Sequence, residues 1–221
     1  RYGLYRANSA GNQINIVPED GAVVTMPCLR QQERKPRPDA AYYALSDFVM
    51  PAESCRTDYI GVFAVTAGRA IEQRAVALRE QGDNYQSLLL QALADRLAEA
   101  AAELFHYRVR TQLWGYAPDE APLSLSQPLA GRGIRPAVGY PSLPDQSLIF
   151  DIDRLIDLSK AGIALTENGA MQPSASVAGL MIAHPDSRYF AVNRIGEEQK
   201  EAYCRQRGFS QMDASKWLSV E

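Results

Sequence analysis

The predicted fold depends on the stretch Asp58-Tyr59-Ile60-Gly61-Val62-Phe63-Ala64-Val65-Thr66. Its residues are mostly apolar at both alternating sets of positions, so an extended chain would have no polar face. A strand with this pattern is typical of a sheet interior, where both faces are covered. We therefore place residues 58–66 in the middle of a sheet that carries other elements on both sides.

Two pairs of strands are predicted around this stretch. Residues 2–6 and 13–17 are joined by Asn and Gly residues that suit a turn, so they form a hairpin. Residues 177–183 and 188–192 form a second hairpin, with turn residues between them. Hairpins pair their strands in opposite directions, and helical segments separate the two. The sequence therefore predicts an α+β fold with a mainly antiparallel, twisted sheet and helices packed against it.

Two helices are predicted after the strand at 58–66. Residues 70–80 repeat apolar side chains at helical spacing, and Gly82 ends that helix. The second helix runs from Asn84, and the stripe that we predict to face the core consists of Leu89, Leu93, Leu97 and Leu104. Glu99 and Glu103 fall off this stripe, so the pattern alone predicts solvated side chains there.

The later part of the chain contains a proline-rich connection at 122–128 and three further helices. Asp151 is predicted to cap the first of these helices. The second covers 196–207 and ends at Gly208. The last begins with a capping box formed by Ser210 and Asp213.

Composition excludes several classes of function. The 221 residues carry a formal net charge of −3 with Lys and Arg scattered along the chain, which argues against a nucleic-acid partner. No apolar run is long enough to cross a bilayer, so no membrane association is expected. Cys28, Cys55 and Cys204 are an odd number at wide spacings, which fits free thiols in a reducing compartment. We therefore expect a cytoplasmic protein.

The chain has few residues suited to autonomous catalysis. Its two histidines are His106 and His184, and no cysteine–histidine cluster, nucleophile triad, Walker loop or dinucleotide-binding glycine pattern is present. His106 is expected to interact with a helix C-terminus, and His184 lies in a turn. We predict neither a catalytic residue nor a metal site.

A candidate ligand site is formed by Gly133-Ile134-Arg135-Pro136-Ala137-Val138-Gly139-Tyr140-Pro141. The prolines fix φ, and the glycines allow a close approach of the backbone to a ligand. Arg135 offers a planar fork for a carboxylate or phosphate. The physical features alone also fit a surface loop with a solvated arginine and a packing tyrosine.

A family resemblance favours the ligand site. Arg135, Gly139, Tyr140 and Pro141 resemble the R-x-x-x-G-Y-P motif of the S-adenosylmethionine-binding activation (reactivation) domain of cobalamin-dependent methionine synthase. Further similar blocks occur in the same order along nearly the whole chain: Ser46-Asp47-Phe48 with Pro51, residues 58–68, residues 93–100, Trp114-Gly115-Tyr116-Ala117-Pro118, Leu165-Thr166-Glu167 with Ala170, Met171 and Pro173, and His184-Pro185-Asp186-Ser187 with Tyr189.

The resemblance implies a set of S-adenosylmethionine-binding residues. These are Arg135, Ala137, Val138, Gly139, Tyr140, Tyr189 and Glu99. Arg135 suits the ligand carboxylate, and the two tyrosines suit the sulfonium. The backbone of residues 137–139 would serve the adenine or ribose, and Glu99 would line the site. Tyr189 would otherwise be interpreted as a packing aromatic, and Trp114 and Tyr116 either pack in the core or wall the ligand.

The resemblance also implies the reaction and its partners. The family reactivates oxidised cobalamin carried by a neighbouring domain, with an electron from a flavodoxin-type or diflavin reductase and a methyl group from S-adenosylmethionine. The domain contributes binding and alignment, so the isolated chain is not expected to catalyse alone although it is part of a methyltransferase. Two alternatives remain: a docking module that caps a corrinoid domain and receives a reductase without binding S-adenosylmethionine, and a freestanding reactivator of a separate corrinoid protein.

The chain begins at Arg1, directly before an apolar stretch. We expect residues 1–221 to form a single activation domain that lacks its N-terminal segment. In the family that segment supplies an acidic residue to the ligand site. Its loss would weaken binding by about 1.5–3 kcal/mol, the contribution of a charge-assisted hydrogen bond.

Overall fold

The computed structural model describes residues 1–37, 39–121 and 131–218, so the connection predicted at 122–128 lies outside the described residues. Within the described part, five strands form one antiparallel sheet in the order β3-β2-β1-β4-β7, and β5 pairs with β6 in a separate ribbon. The predicted α+β class with a mainly antiparallel sheet is confirmed. The strands are β1 (Tyr2–Ser9), β2 (Gln13–Val17), β3 (Val24–Pro27), β4 (Asp58–Thr66), β5 (Ala164–Leu165), β6 (Met171–Gln172) and β7 (Ser176–Met181).

Helices cover both faces of the large sheet. The α-helices are α1 (Arg69–Glu80), α2 (Asn84–Arg108), α3 (Leu148–Ile156), α4 (Glu197–Arg207) and α5 (Gln211–Trp217). Short 3₁₀ helices occur at Leu45–Phe48, Ala52–Ser54 and Leu158–Ala161, and a π-helical turn at Val109–Leu113 continues α2. The predicted hairpin of β1 and β2 is confirmed, as is the capping box at Ser210 and Asp213.

Strand β4 is covered on both faces, as its sequence predicts. Ile60, Val62 and Ala64 belong to the main core, which includes α3, whereas Phe63 belongs to a second core beneath α2. In the order β3-β2-β1-β4-β7, β4 is an interior strand that lies between β1 and β7. Pattern alone shows that a strand is covered on both faces, but not how many strands lie on each side of it.

The segment 133–141, called here the cradle segment, extends the sheet beyond β7. Ile134 and Ile182 exchange two backbone hydrogen bonds of 2.9 Å, and the Leu180 amide donates to the Pro136 carbonyl at 2.9 Å. Pro136 has no N–H to return to Leu180, and an outer strand position tolerates that loss. The cradle segment is therefore held to the sheet by its own backbone.

The second predicted hairpin is wrong. Residues 176–181 form β7, whose partners are β4 and the cradle segment, while residues 188–192 form no strand. The side chains there make other contacts: the Arg188 guanidinium lies 5.3 Å from the centroid of the Tyr43 ring, and Phe190 packs near Phe48. The edge that the hairpin would have used is occupied by the cradle segment.

The predicted orientation of α2 is also wrong. Its four stripe leucines are exposed, with Leu93 at 58% and Leu97 at 52% of their accessible surface. The face against the protein consists instead of small side chains, including Ala94, Ala98 and Ala102. Alanine methyl groups allow a helix to approach a sheet closely. Helix α2 is apolar on two sides, and the side with alanines faces the sheet because it gives the closer packing.

Helix α3 begins earlier than predicted. It starts at Leu148, so Asp151 lies inside the helix instead of capping it. The Asp151 carboxylate accepts a hydrogen bond of 2.6 Å from Arg207 of α4. Asp151 is 8% exposed, and an ion pair to another element explains an acidic residue at a buried helical position.

Gly179 permits the close contact between β7 and the cradle segment. A Cβ at this position would lie 2.2 Å from the Pro136 carbonyl oxygen and 2.7 Å from the Ala137 Cα. We expect Gly179→Ala to lower the free energy of unfolding by about 1–3 kcal/mol, because both neighbours are backbone atoms that must move together. Urea denaturation measures this change.

Gly21→Ala is the matched control for this prediction. Its added Cβ would meet only Pro18, at 3.5 Å, so its stability should change by less than about 0.5 kcal/mol. Equal stability of the two variants would show that the contact at Gly179 is not close in solution.

Candidate functional site

A cavity of about 430 Å³ opens where the cradle segment meets α2 and residues 189–191. This volume falls within the range of small-molecule sites, about 300–1,000 Å³. Prolines and aromatic rings make its wall largely apolar, with a few charged and polar groups. The lining residues are Glu99, Arg135, Pro136, Ala137, Tyr140, Pro141, Ser142, Tyr189, Phe190 and Ala191.

Strand-like alternation decides toward which side of the sheet Arg135 points. Ile134 and Val138 are buried in the main core. Ala137, on the opposite face, belongs to the second core beneath α2, and Arg135 shares that face. Because side chains alternate along an extended segment, the β7 pairing directs the arginine toward the glutamates of α2.

Arg135 is enclosed by two carboxylates from α2. Its Nη2 and Nε donate to Glu103 Oε2 at 3.0 and 3.3 Å, and its Nη1 lies 3.7 Å from Glu99 Oε2. The side chains of Arg135 and Glu103 are 11% and 14% exposed, whereas that of Glu99 is 35% exposed. Glu103 therefore lies behind the arginine, and Glu99 faces the open cavity.

Two tyrosines stand at the cavity mouth. The Tyr140 hydroxyl donates to Glu99 Oε1 at 2.5 Å, and this hydrogen bond, together with partial burial, raises the pKa of Tyr140 to about 12. The Tyr189 hydroxyl accepts from the Arg135 backbone amide at 2.9 Å, and burial raises the pKa of Tyr189. Both hydroxyls stay protonated at neutral pH, and both residues retain nearly half of their exposure.

The groups at this cavity suit binding better than acid–base chemistry. A guanidinium can hold a carboxylate, a carboxylate can face a cation, and exposed aromatic rings can cover an apolar or positively charged group. Among residues 1–37, 39–121 and 131–218 no cluster of three metal-ligating side chains occurs. No helix in the same ranges is long and apolar enough to span a membrane.

Comparison with known proteins gives the family. The sequence model described as "Vitamin B12 dependent methionine synthase, activation domain" matches residues 1–208. A crystal structure of the MetH reactivation domain bound to AdoHcy is similar with a TM-score of 0.90 and 43% sequence identity, over 99% of this chain and 68% of that chain. This chain belongs to the methionine synthase activation domain family.

Five of the seven residues predicted for the ligand site of this activation domain come together at the cavity. They are Glu99, Arg135, Ala137, Tyr140 and Tyr189. Two backbone amides of the segment predicted to serve the adenine or ribose have protein partners: the Val138 amide donates to Ala178 at 3.0 Å and the Gly139 amide to Leu143 at 2.9 Å. These two amides bind protein carbonyls and are not directed at a ligand.

Gly139 has a structural role in the activation domain. Its φ is +82°, a conformation that glycine adopts without strain, and an added Cβ would lie 2.5 Å from Gln146 Oε1. The turn that it allows brings the Tyr140 amide to the Ala137 carbonyl at 3.2 Å. The glycine of the motif thus positions the tyrosine that follows it.

Glu103 is the main site residue that sequence reasoning missed. The helical pattern places Glu103 off the core stripe, like Glu99, but it is one helical turn further along α2 and pairs with the same arginine. Residues four apart lie on one helix face. That spacing, combined with the predicted role of Glu99, was the signal available in the sequence.

A buried polar network of the activation domain supports the start of the cradle segment. Arg110, 2% exposed, donates three hydrogen bonds of 2.6–3.0 Å to Glu120 and one of 2.9 Å to His106 Nδ1. Since a guanidinium only donates, Nδ1 accepts and Nε2 carries the hydrogen, 3.3 Å from the Tyr116 hydroxyl. Tyr116 in turn donates to the Arg132 carbonyl at 3.1 Å.

Trp114 packs edge-on against Tyr116 and borders the second core, which favours its structural interpretation.

His106 differs from the helix-end cation predicted from the sequence. Burial, followed by the charges of Arg110 and Arg135, lowers the pKa of His106 to about 3. The helical chain also continues past it through the π-helical turn. His106 is therefore a neutral acceptor inside the network.

This pKa predicts a pH dependence of stability. The unfolded chain protonates His106 near pH 6.5 but the folded chain does not, so its stabilising contribution is complete above pH 6.5 and is lost as pH falls toward 3. Between pH 7 and pH 5 the wild-type chain should lose about 2 kcal/mol more of its unfolding free energy than His106→Gln.

Urea denaturation at the two pH values measures this difference. Thr25→Val is the control, because it removes an exposed hydroxyl that does not titrate and should therefore keep the pH dependence of the wild type. The same pH dependence in the His106→Gln variant would contradict the buried neutral state of His106.

Proposed function

We propose that this activation domain binds S-adenosylmethionine in the cavity between the cradle segment and α2. The observation that carries the proposal is that Arg135, paired with two carboxylates, lines the same cavity as two exposed tyrosines. S-adenosylmethionine has a carboxylate, an ammonium, a sulfonium and a flat aromatic base, and the cavity has a group suited to each.

Each proposed contact follows from this geometry. Arg135 holds the ligand carboxylate, and Glu99 faces the ammonium and sulfonium. The rings of Tyr140 and Tyr189 cover the sulfonium side. Pro136, Ala137 and Phe190 provide apolar surface for the base. In this arrangement Ala137 and Gly139 shape the backbone of the cradle segment, and Val138 anchors the segment in the main core.

The relative supports this choice of ligand. The MetH reactivation domain, at 43% identity over nearly all of this chain, was crystallised with AdoHcy, the demethylated counterpart of S-adenosylmethionine. A nucleoside of the same skeleton fits the charge pattern around Arg135. Residues 1–221 are proposed to act as one domain.

The proposed reaction is the reductive methylation of cobalamin within a cobalamin-dependent methyltransferase. Bound S-adenosylmethionine supplies the methyl group, cobalamin carried by a neighbouring domain accepts it, and a flavodoxin-type or diflavin reductase supplies the electron. The residues described here bind the nucleoside, orient it and exclude water from it. Three free cysteines support a reducing, cytoplasmic compartment.

Isothermal titration of the chain with S-adenosylmethionine tests the proposal. Arg135→Ala should weaken binding by about a hundredfold, because it removes a charge-assisted partner of the ligand carboxylate. Arg135→Lys keeps the charge without the planar fork, so its affinity for S-adenosylmethionine should lie between those of the wild type and Arg135→Ala. Circular dichroism should show an unchanged fold.

Arg30→Ala is the matched control. Arg30 also pairs with a carboxylate, Asp47, but lies elsewhere on the surface, so binding should be unchanged. A wild-type chain that binds no S-adenosylmethionine would refute the proposal and favour the docking module. Equal affinities of the wild type and Arg135→Ala would refute the role of the arginine.

A further inference from the structure

Glu103 occupies an unusual position relative to the cavity. Of the residues that the structure describes, Glu103 is not one that lines the cavity. Its carboxylate nevertheless accepts hydrogen bonds from both Nε and Nη2 of Arg135, which does line the cavity. A buried pair of this kind fixes the guanidinium plane. Glu103 therefore contacts the described part of the site only through Arg135, and its position sets that of the guanidinium.

Glu99 is the alternative partner for the same arginine. Its carboxylate lies 3.7 Å from Arg135 Nη1 and accepts a hydrogen bond from Tyr140. If Glu103 were uncharged, the buried guanidinium would turn to Glu99 as its remaining carboxylate, because an unpaired buried charge is costly. Glu103 thus keeps Glu99 available to the cavity.

The charges around the cavity have a definite sum. Arg135, Glu99 and Glu103 give a formal surplus of one negative charge, while Arg110 is neutralised by Glu120 and the charges of Asp95 and Arg96 at the adjoining pocket offset each other. S-adenosylmethionine carries a carboxylate, an ammonium and a sulfonium, which leave one positive charge. S-adenosylhomocysteine has no sulfonium and is neutral overall.

We propose that Glu103 is a positioning residue that makes the cavity discriminate the sulfonium from the thioether, by holding Arg135 so that Glu99, at 3.7 Å from the nearest guanidinium nitrogen, keeps most of its negative charge for the ligand. The inference rests on the proposed function and deepens it. It also provides for product release, because loss of the methyl group removes the charge that Glu99 faces.

Isothermal titration of S-adenosylmethionine and S-adenosylhomocysteine into the wild type and Glu103→Gln tests this proposal. The wild type should prefer the sulfonium ligand. Glu103→Gln should bind S-adenosylmethionine about tenfold more weakly, because Arg135 then neutralises Glu99 in a partly buried site, and should change S-adenosylhomocysteine affinity by less than about threefold. The ratio of the two affinities should therefore fall toward one.

Glu201→Gln is the control, because it removes a carboxylate that pairs with Arg205 on the exposed face of α4. It should leave both affinities and their ratio unchanged. If Glu103 had only a structural role, Glu103→Gln would lower the affinity for both ligands by the same factor. If Glu103 competed with the ligand carboxylate for Arg135, Glu103→Gln would raise the affinity for both ligands.

Either of those results would overturn the inference, as would a wild type that binds the two ligands equally. If the wild type binds neither nucleoside, the proposed function fails and the inference fails with it. If S-adenosylmethionine binding depends on Arg135 but the ratio is unaffected by Glu103→Gln, only the inference fails.

Discussion

The backbone pairing between the cradle segment and β7 is the interaction on which the rest of the site depends. It holds a proline- and glycine-rich segment in an extended path along the edge of β7, so that alternate side chains point to opposite sides. Ile134 and Val138 anchor the segment in the main core. With them fixed, Arg135 can face only α2, where Glu103 fixes the plane of its guanidinium.

Helix α2 provides the opposite wall through two kinds of residue. Alanines such as Ala98 and Ala102 form its contact with the sheet, and beside them Glu99 faces the cavity while Glu103 lies behind Arg135. The carboxylates therefore belong to a rigid element at a short distance from the cradle segment. Binding geometry of this kind is more precise than a site assembled from loops alone.

Local pattern predicted much of this fold but not its long-range choices. Alternation identified β1, β2 and β4, and the capping box located α5, because these signals lie within a few residues of one another. The edge pairing of the cradle segment was missed, since a proline argues against a strand and no local signal names its partner. The orientation predicted for α2 from its leucines is wrong because the helix has two apolar faces and hydrophobicity alone does not distinguish them. The alanine face packs on the sheet because its small side chains allow the closer approach.

The alanine contact sets the distance between α2 and the sheet, and substitutions at this contact would change that distance without altering a residue of the ligand site. Larger side chains at Ala98 or Ala102 would act as spacers that lift the helix and lengthen the gap from its glutamates to Arg135. Natural variants of this family could thus differ in ligand affinity while every contact residue stays identical. Sequence differences on the hidden side of one helix would then carry functional divergence.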